Sequence, residues 1–200
     1  MVERSTSKKS SAQMPATNYL TGHVLVAMPG MPDPRFAKSV IYMCDHSAKG
    51  AMGFVLNKPE AGLDFKELLD HVGLAEITMQ RAIPIHIGGP VDAGRGFVLH
   101  SNDYGSDETV KVDSICAVTA SIDILRDIAS GAGPNKCILV LGYSGWAPGQ
   151  LESELQDNGW LHAPADEELL FGADSAQKWH HALKKLGISA SHLSATGGRA

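Results

Sequence analysis

Apolar residues in this chain come in short runs separated by glycine, proline and polar residues, and this pattern predicts a protein rich in β-strands. The first strands are predicted at 24–28, 39–44 and 51–57, and the polar stretch 45–50 fits an antiparallel hairpin connection. The second and third strands are apolar on both faces. The sheet therefore needs cover on both sides, as a middle layer or as the wall of a closed barrel. Gly53, inside the third strand, is interpreted as the site of a β-bulge.

Other stretches repeat their apolar residues with the period of a helix. The clearest is 64–73, where Asp64 and Glu67 form a capping-box pair and Gly73 fits the position after the last turn. Further helices are predicted at 122–129, at 148–158 with Pro148 in the first position, and from a cap at Asp174 to Gly187. The remaining strands are predicted at 83–87, 96–100, 109–112, 115–119 and 137–141, with the first two of these as a hairpin.

Two segments, 51–87 and 115–141, have the order strand, helix, strand that is typical of a β–α–β crossover. Such crossovers are right-handed and join parallel strands. Under this hypothesis, the loops after Asn57, Ile87 and Leu141 meet at one edge of the sheet, where open α/β sheets bind ligands. The residues expected to line this cleft are Arg35, Asn57, Lys58, Gly89, Pro90, Ser144, Gly145, Trp146 and Gly149.

The stretch 136–155 combines a predicted buried strand, a glycine-rich corner and a helix. Its sequence GYSGW at 142–146 partly matches the nucleophile elbow of hydrolases, but Trp146 replaces the final glycine. In addition, none of the nine histidines lies in a sequence context that indicates a catalytic base. A tight corner around a packed tryptophan is therefore the favoured interpretation. The helix predicted from Pro148 presents free backbone amides at this corner, which could bind a phosphate or a carboxylate. No glycine motif for nucleotides accompanies it.

Cys44, Cys116 and Cys137 are odd in number, far apart and inside apolar runs, which indicates buried thiols in a reducing compartment. Cys44 and His46 could face the same side of a strand and, with His23, hold a metal ion. A buried cysteine beside a turn histidine explains the pattern more simply. The sequence therefore assigns no metal ion and no cofactor.

The 200-residue chain carries 44% apolar and 20% charged residues, and its formal net charge is −5. This composition suits one globular domain, and it disfavours direct nucleic-acid binding, which uses a basic surplus to neutralise phosphates. We expect a cytoplasmic protein without membrane contacts, because no apolar run of about 18 residues and no signal-peptide core occur. Residues 1–17, rich in Ser, Thr and Lys, are expected to be a disordered tail before a single domain at 18–187 and a second tail at 188–200.

Several motifs resemble the YqgE/AlgH family of bacterial proteins over residues 18–187. They are GHVLVAMP at 22–29, GFVLNKP at 53–59, GGPV at 88–91, RGFVLH at 95–100, GYSGW at 142–146 and GQLE at 149–152. The resemblance implies an α+β fold with a mixed, bulged sheet curled into a partial barrel with flanking helices. It also implies a cytosolic protein for which no enzymatic activity is established, although some members are labelled transcriptional regulators. Members typically have a small residue, often alanine, at the position of Ser144, which weakens the nucleophile interpretation.

We therefore expect a binding or regulatory module whose cleft takes a small anionic ligand or a protein segment. The alternative is an enzyme of unrecognised type that uses Ser144 or Cys44. The expected partner is a small molecule or a protein.

Overall fold

The computed structural model of this chain describes residues 19–172 and 174–188. The tail expected at 1–17 lies outside this part of the chain, as does the tail expected at 188–200 apart from Ile188. The strands are β1 (His23–Ala27), β2 (Val40–Ser47), β3 (Gly50–Val55), β4 (Ile85–Ile87), β5 (Val91–His100), β6 (Thr109–Lys111), β7 (Ala117–Thr119), β8 (Cys137–Trp146) and β9 (Trp160–Pro164). The helices are a 3₁₀ turn (Pro34–Phe36), α1 (Phe65–His71), α2 (Ile122–Ala129), α3 (Gln150–Gln156), α4 (Glu167–Phe171) and α5 (Lys178–Lys185).

These strands form one sheet in the order β6-β7-β5-β8-β3-β2-β1-β9, and β4 pairs with β8 beside this path. The sheet is mixed, because β4 runs parallel to β8 whereas the neighbours along the main path run antiparallel. It curls into a half-barrel with flanking helices. The structure thus confirms the predicted α+β class and partial barrel.

Both faces of the sheet are covered, as the apolar strands required. One face carries a shared core in which strand residues such as Tyr42 and Phe54 pack with α4 and α5. On the opposite face, α1 and α2 cover one part of the sheet, and α3 with the β1–β2 loop covers the other. Alternate residues of β8 illustrate the division: Ile138 joins the shared core, whereas Leu139 joins the core under α1 and α2.

The sheet forks at Gly142, where β8 changes partners. Before this residue β8 lies between β5 and β4, and after it β8 pairs with β3. The ends of β3 and β4 meet head to head here, so that the Val55 N–H donates to the Gly88 carbonyl (2.8 Å). Gly142 has a φ of +69°, and a Cβ there would lie 2.6 Å from the Gly89 carbonyl oxygen. Glycine is therefore required by both backbone conformation and space.

Three strand predictions are wrong. Segments 83–87 and 96–100 do not form a hairpin, because β4 and β5 pair with opposite edges of β8. The first predicted crossover fails as well, since β3 is antiparallel to β8 and β4 is parallel to it. The bulge lies on β2 at Cys44, where the register shifts, and Gly53 stands opposite it. In the second crossover β7 and β8 do run the same way, because each is antiparallel to β5.

The helices that local signals define agree best with the structure. Helix α1 has the predicted capping box, with Glu67 N–H donating to Asp64 (2.8 Å) and Asp64 N–H donating to Glu67 (2.9 Å). Helix α2 spans the predicted residues. Helix α5 begins later than predicted, because Asp174 accepts from the Gln177 N–H in the turn that precedes the helix.

Candidate functional site

A short turn between β1 and β2 forms one wall of a cleft. Asp33 starts this turn by accepting a hydrogen bond from the Arg35 N–H (3.0 Å). The same carboxylate accepts from the Arg35 guanidinium, with 2.7 Å between Nη2 and Oδ2, and these bonds lower the pKa of Asp33 below its ordinary value. The pair fixes the turn and places Phe36 beside it.

The two residues Asn57 and Lys58, which follow β3, anchor the C-terminal part of the loop between β1 and β2. Asn57 Oδ1 accepts from the Val40 N–H (2.8 Å), and Asn57 Nδ2 donates to the Lys38 carbonyl (2.8 Å). Lys58 Nζ donates to the Ala37 carbonyl (2.7 Å). These three hydrogen bonds connect the loop to the sheet and keep the side chain of Phe36 in position beside the cleft.

A cavity of about 410 Å³ lies between this turn, the end of β8, and the α3–β9 segment. We call it the aromatic cleft; its lining includes Arg35, Phe36, Pro90, Trp146, Glu154 and Trp160. Three rings meet edge-on along its wall, with 5.8 Å between the centroids of Phe36 and Trp160 and 6.2 Å between those of Trp160 and Trp146. The volume lies within the range of ligand pockets, about 300–1,000 Å³.

Glu154 of α3 is the polar centre of the aromatic cleft. Its Oε2 accepts from both indole N–H groups, at 2.9 Å from Trp146 and 2.8 Å from Trp160. Its Oε1 accepts from the side-chain amide of Gln150 (2.9 Å). One carboxylate therefore orients two tryptophans that come from different strands, and no described residue forms an ion pair with it.

The charge of the cleft is negative. Glu154 and Asp157 contribute carboxylates, and the lining cation, Arg35, is already bound to Asp33. An incoming anion would face two carboxylates and would have to compete with Asp33 for the guanidinium. The geometry favours a cationic or neutral group over an anion.

A second cavity of about 330 Å³, the apolar recess, continues from the cleft on the other side of Arg35, Phe36 and Pro90. Val55 and Ile87 give it apolar walls, and the side chain of Ile87 is 43% exposed. The two cavities share three lining residues, so they form one elongated surface depression.

Seven of the nine predicted cleft residues line these two cavities: Arg35, Pro90, Ser144, Gly145 and Trp146 line the first, and Arg35, Lys58, Gly89 and Pro90 line the second. Asn57 and Gly149 lie outside both linings. Asn57 instead connects the loop to β3, and Gly149 precedes α3. That any of these residues binds a ligand stays a prediction.

Most of the predicted cleft residues come together, but not through the β–α–β crossovers from which the cleft was predicted. Trp146 pairs with Ala51 at the start of β3, whereas Asn57 follows the end of that strand. Ala51 and Asn57 are six residues apart, which corresponds to about 20 Å at roughly 3.4 Å per residue. Gly89 and Pro90 reach the end of β8 instead because the link between β4 and β5 crosses that strand, and a Cβ on Gly89 would lie 2.2 Å from the Tyr143 carbonyl oxygen.

The predicted corner at 142–146 is part of a strand. β8 continues through Gly142 to Trp146, because β3 replaces β4 as the hydrogen-bonding neighbour at that point. Ser144 is therefore a buried strand residue, 1% exposed, whose hydroxyl donates to the Gly88 carbonyl (3.4 Å). Among the described residues, the hydrogen-bond partner of this hydroxyl is a backbone carbonyl rather than a basic side chain.

The anion site predicted at the N-terminus of the helix that follows this strand is not supported either. Helix α3 begins at Gln150, after Gly149 in a left-handed conformation, and Pro148 lies before it. Glu152 occupies its first turn. The pKa of Glu152 is lowered by a hydrogen bond from its own backbone amide and then by His46, so this end of the helix already has a carboxylate.

The alternative metal site is not formed by the described residues, which contain no group of three His, Cys, Asp or Glu side chains suited to an ion. His46 uses both ring nitrogens: Nδ1 accepts from the Leu20 N–H (3.0 Å), and Nε2 lies 3.0 Å from Glu152. Its tautomer is therefore fixed with the proton on Nε2.

The sequence pattern did not single out Phe36, Glu154 or Trp160. Glu152 and Glu154 are two apart on α3, and each has a separate partner: Glu152 lies beside His46, and Glu154 accepts from Trp146. Trp160 opens a strand, β9, that was not predicted. The mainly apolar run 160–163, bounded by Gly159 and Pro164, is the signal that could have indicated it.

Comparison with known proteins identifies the class to which this α+β half-barrel belongs. The family model described as AlgH-like matches residues 24–191. The UPF0301 protein of Rhodopseudomonas palustris is 53% identical over 191 residues, which cover 92% of this chain and 88% of that protein. The UPF0301 protein of Bradyrhizobium diazoefficiens is 48% identical over 204 residues, covering 98% and 95%. The chain belongs to the AlgH-like family, as its motifs indicated.

Solved structures agree with the fold. The solution structure of the AlgH protein from Pseudomonas aeruginosa matches with a TM-score of 0.75 at 41% identity, covering 94% of this chain and 100% of that one. A crystal structure of a protein from Corynebacterium diphtheriae matches with a TM-score of 0.66 at 21% identity, covering 86% and 90%, which supports the fold alone. In the part of the chain that the structure describes, no helix is both long and apolar enough to cross a membrane.

Proposed function

We propose that this AlgH-like protein is a cytoplasmic, non-enzymatic binding module whose aromatic cleft takes an extended protein segment. The segment carries a lysine or arginine next to an apolar side chain. The single observation that supports this most strongly is the combination of three aromatic rings with Glu154, a carboxylate that has no cationic partner among the described residues.

Charge and shape together favour this kind of partner. A basic side chain gains from Glu154 and Asp157, and its apolar stem packs on the rings. The adjoining apolar recess extends the depression past Phe36, which suits a chain segment better than a compact molecule. The small anionic ligand, the other expectation from the sequence, is disfavoured by the same two carboxylates.

The enzyme alternative has less support. Ser144 is buried and bonded to a backbone carbonyl rather than to a base. Burial raises the pKa of the Cys44 thiol well above its ordinary value, so the reactive thiolate is scarce at neutral pH. A fluorophosphonate probe is expected to leave Ser144 unlabelled.

Regulation of transcription, the label carried by some family members, fits this module through a protein partner. Direct DNA contact would bring phosphates to a cleft lined by the carboxylates of Glu154 and Asp157 and to a chain of net charge −5. Binding of a regulatory protein's basic segment avoids that repulsion.

The proposal is tested by fluorescence anisotropy with two labelled decapeptides. One alternates leucine with lysine, and the other alternates leucine with glutamate. We expect saturable binding of the first and much weaker binding of the second. Phe36→Ala should weaken the first about tenfold, because an aromatic anchor is lost. Asp157→Asn should weaken it about threefold, as for a partly exposed ion pair.

Asp123→Asn is the matched control, because Asp123 is an exposed carboxylate on α2, outside the lining of the cleft. It should leave the affinity unchanged. Equal or tighter binding of the glutamate peptide, or unchanged affinity in Phe36→Ala, would overturn the proposal. Competitive displacement by inorganic phosphate would favour the small-anion interpretation instead.

A further inference from the structure

A third cavity, of about 420 Å³, opens on the sheet face that carries the shared core, and we call it the corner pocket. Its floor is made by Phe54 and Phe97, whose ring centroids are 5.0 Å apart. Met52, Val112 and Val118 form its apolar walls. It shares no lining residue with the aromatic cleft or the apolar recess, so it is an independent candidate site.

The register of the strands explains how this pocket is built. Side chains two apart on a strand face the same side, and Arg95 with Phe97 and Val110 with Val112 follow that rule. The β2 strand departs from it: Cys44 and Asp45 are consecutive, yet both line the pocket. The bulge between Met43 and Asp45 causes this, because an extra residue re-aims the side chains that follow it. The bulge thus adds a carboxylate to an apolar pocket.

The rim of the corner pocket carries charges of both signs. The guanidinium of Arg95 lies over the Phe97 ring, 5.1 Å from its centroid, and it makes no ion pair with any residue in the described ranges. Asp45 and Glu108 supply the carboxylates of the rim, and both are exposed. An arginine held against an aromatic ring keeps its donors free for a planar carboxylate.

The mouth also exposes apolar surface. Val110 is 67% exposed, an unusual value for a β-branched strand residue, and it faces the same cavity as the two phenylalanines. Apolar surface beside charges of both signs is complementary to a molecule with an apolar body and a zwitterionic head.

From this combination we infer that the corner pocket binds a free α-amino acid with an apolar side chain. The ligand's carboxylate pairs with Arg95, its ammonium group with Asp45 or Glu108, and its side chain packs on Phe54 and Phe97. A free amino acid is favoured over a peptide because it presents both charges on one carbon, next to the apolar group. The cavity volume is large enough for an aromatic or branched side chain.

The test is a titration of the ¹⁵N-labelled full chain followed by ¹H–¹⁵N correlation spectra. The probes are L-phenylalanine, L-leucine, glycine, 3-phenylpropionate, 2-phenylethylamine and N-acetyl-L-phenylalaninamide. We expect saturable shifts of the Phe97 and Val118 amides with phenylalanine and leucine. Each single-charge analogue should bind about tenfold more weakly, and glycine and the uncharged amide should give no saturable shifts.

Variants separate the two charges. Arg95→Gln should weaken phenylalanine binding at least about tenfold but leave 2-phenylethylamine unaffected, and the double substitution Asp45→Asn with Glu108→Gln should weaken 2-phenylethylamine. Arg126→Gln is the matched control, since Arg126 is an exposed arginine of α2 outside the pocket. Absence of saturable shifts at Phe97 overturns the inference, as does binding of the uncharged amide with the affinity of phenylalanine or unchanged affinity in Arg95→Gln.

Discussion

The two halves of β8 differ in what surrounds them. Residues 137–141 lie between β4 and β5, and their side chains alternate between two closed cores. Residues 144–146 pair with β3 on one edge, and all three line the aromatic cleft. One half serves stability and the other builds a surface depression. The difference depends on Gly142, where β4 ends and β3 takes over, so one residue separates the structural half from the candidate functional half.

The largest expected effect is that of Gly142→Ala, which changes the residue at which the two halves of β8 meet. The left-handed φ costs an alanine about 1–2 kcal/mol. Its Cβ would also meet the carbonyl oxygens of Gly89 at 2.6 Å and of Val91 at 2.7 Å, both of them backbone. Urea unfolding should give a loss of about 3–5 kcal/mol.

Gly105→Ala is the control for this substitution, since a Cβ there meets nothing within 4 Å. It should change the unfolding free energy by less than about 0.5 kcal/mol. A Gly142→Ala protein as stable as this control would refute the account of the fork.

The next largest effect is expected from acidification, which should lower the stability of β4, the strand that pairs with the structural half of β8. Burial, and then the charge of Lys178, lowers the pKa of His86 on β4 to about 4. Between pH 6.5 and 4 the unfolded chain therefore binds a proton that the folded chain does not. Stability contributed by this group should fall by up to about 3 kcal/mol as the pH drops through that window.

The comparison of wild type with His86→Asn isolates this effect, because His100 and His162 also have lowered pKa values and act in the same direction. Unfolding measured at several pH values should give a shallower pH dependence in the variant. Identical slopes in the two proteins would contradict a buried neutral His86.

In the functional half, Glu154→Ala should cost about 2 kcal/mol, because it leaves two indole N–H groups without their acceptor. Glu154→Gln should cost less, since the amide oxygen can still accept. Thermal unfolding measures both, with the exposed Glu76→Ala as a neutral control. If Glu154→Ala matches Glu76→Ala, the carboxylate does not orient the tryptophans.

The smallest expected effect is that of Asn57→Ala, about 1 kcal/mol, because two partly exposed hydrogen bonds to the loop are lost. The loop that carries Phe36 should open more often. Hydrogen exchange of the Val40 amide should therefore accelerate more than that of the Leu56 amide, which donates to the Val40 carbonyl. Equal acceleration at both amides would mean that Asn57 does not act on the loop.

Features that depend on neighbouring residues could be predicted from the sequence. The capping box of α1 involves residues three apart, and the span of α2 follows from its apolar period and the breakers after it. The two-sided cover of the sheet was also predictable, because strands such as β2 are apolar on both faces.

The fork and the cleft depend on residues far apart in the chain. Gly142 locally resembles the end of a strand, yet β3, some ninety residues earlier, keeps the backbone extended to Trp146. Trp160 reaches the cleft through the pairing of β9 with β1, at the opposite end of the chain. Neither pairing leaves a signal in the local sequence pattern. Seven predicted residues do line the two cavities, but the strand pairings that bring them together could not be predicted from the sequence.

The three tryptophans allow the most direct test of the central claim, that the end of β8 builds a cleft for a basic protein segment. The indole N–H groups of Trp146 and Trp160 donate to Glu154 in the cleft, whereas that of Trp179 donates to the Ala27 carbonyl in the shared core. In ¹H–¹⁵N spectra recorded with the leucine–lysine decapeptide, the account predicts saturable shifts of the first two indole signals and an unchanged third. Unshifted signals of Trp146 and Trp160 at a peptide concentration that saturates binding would contradict it.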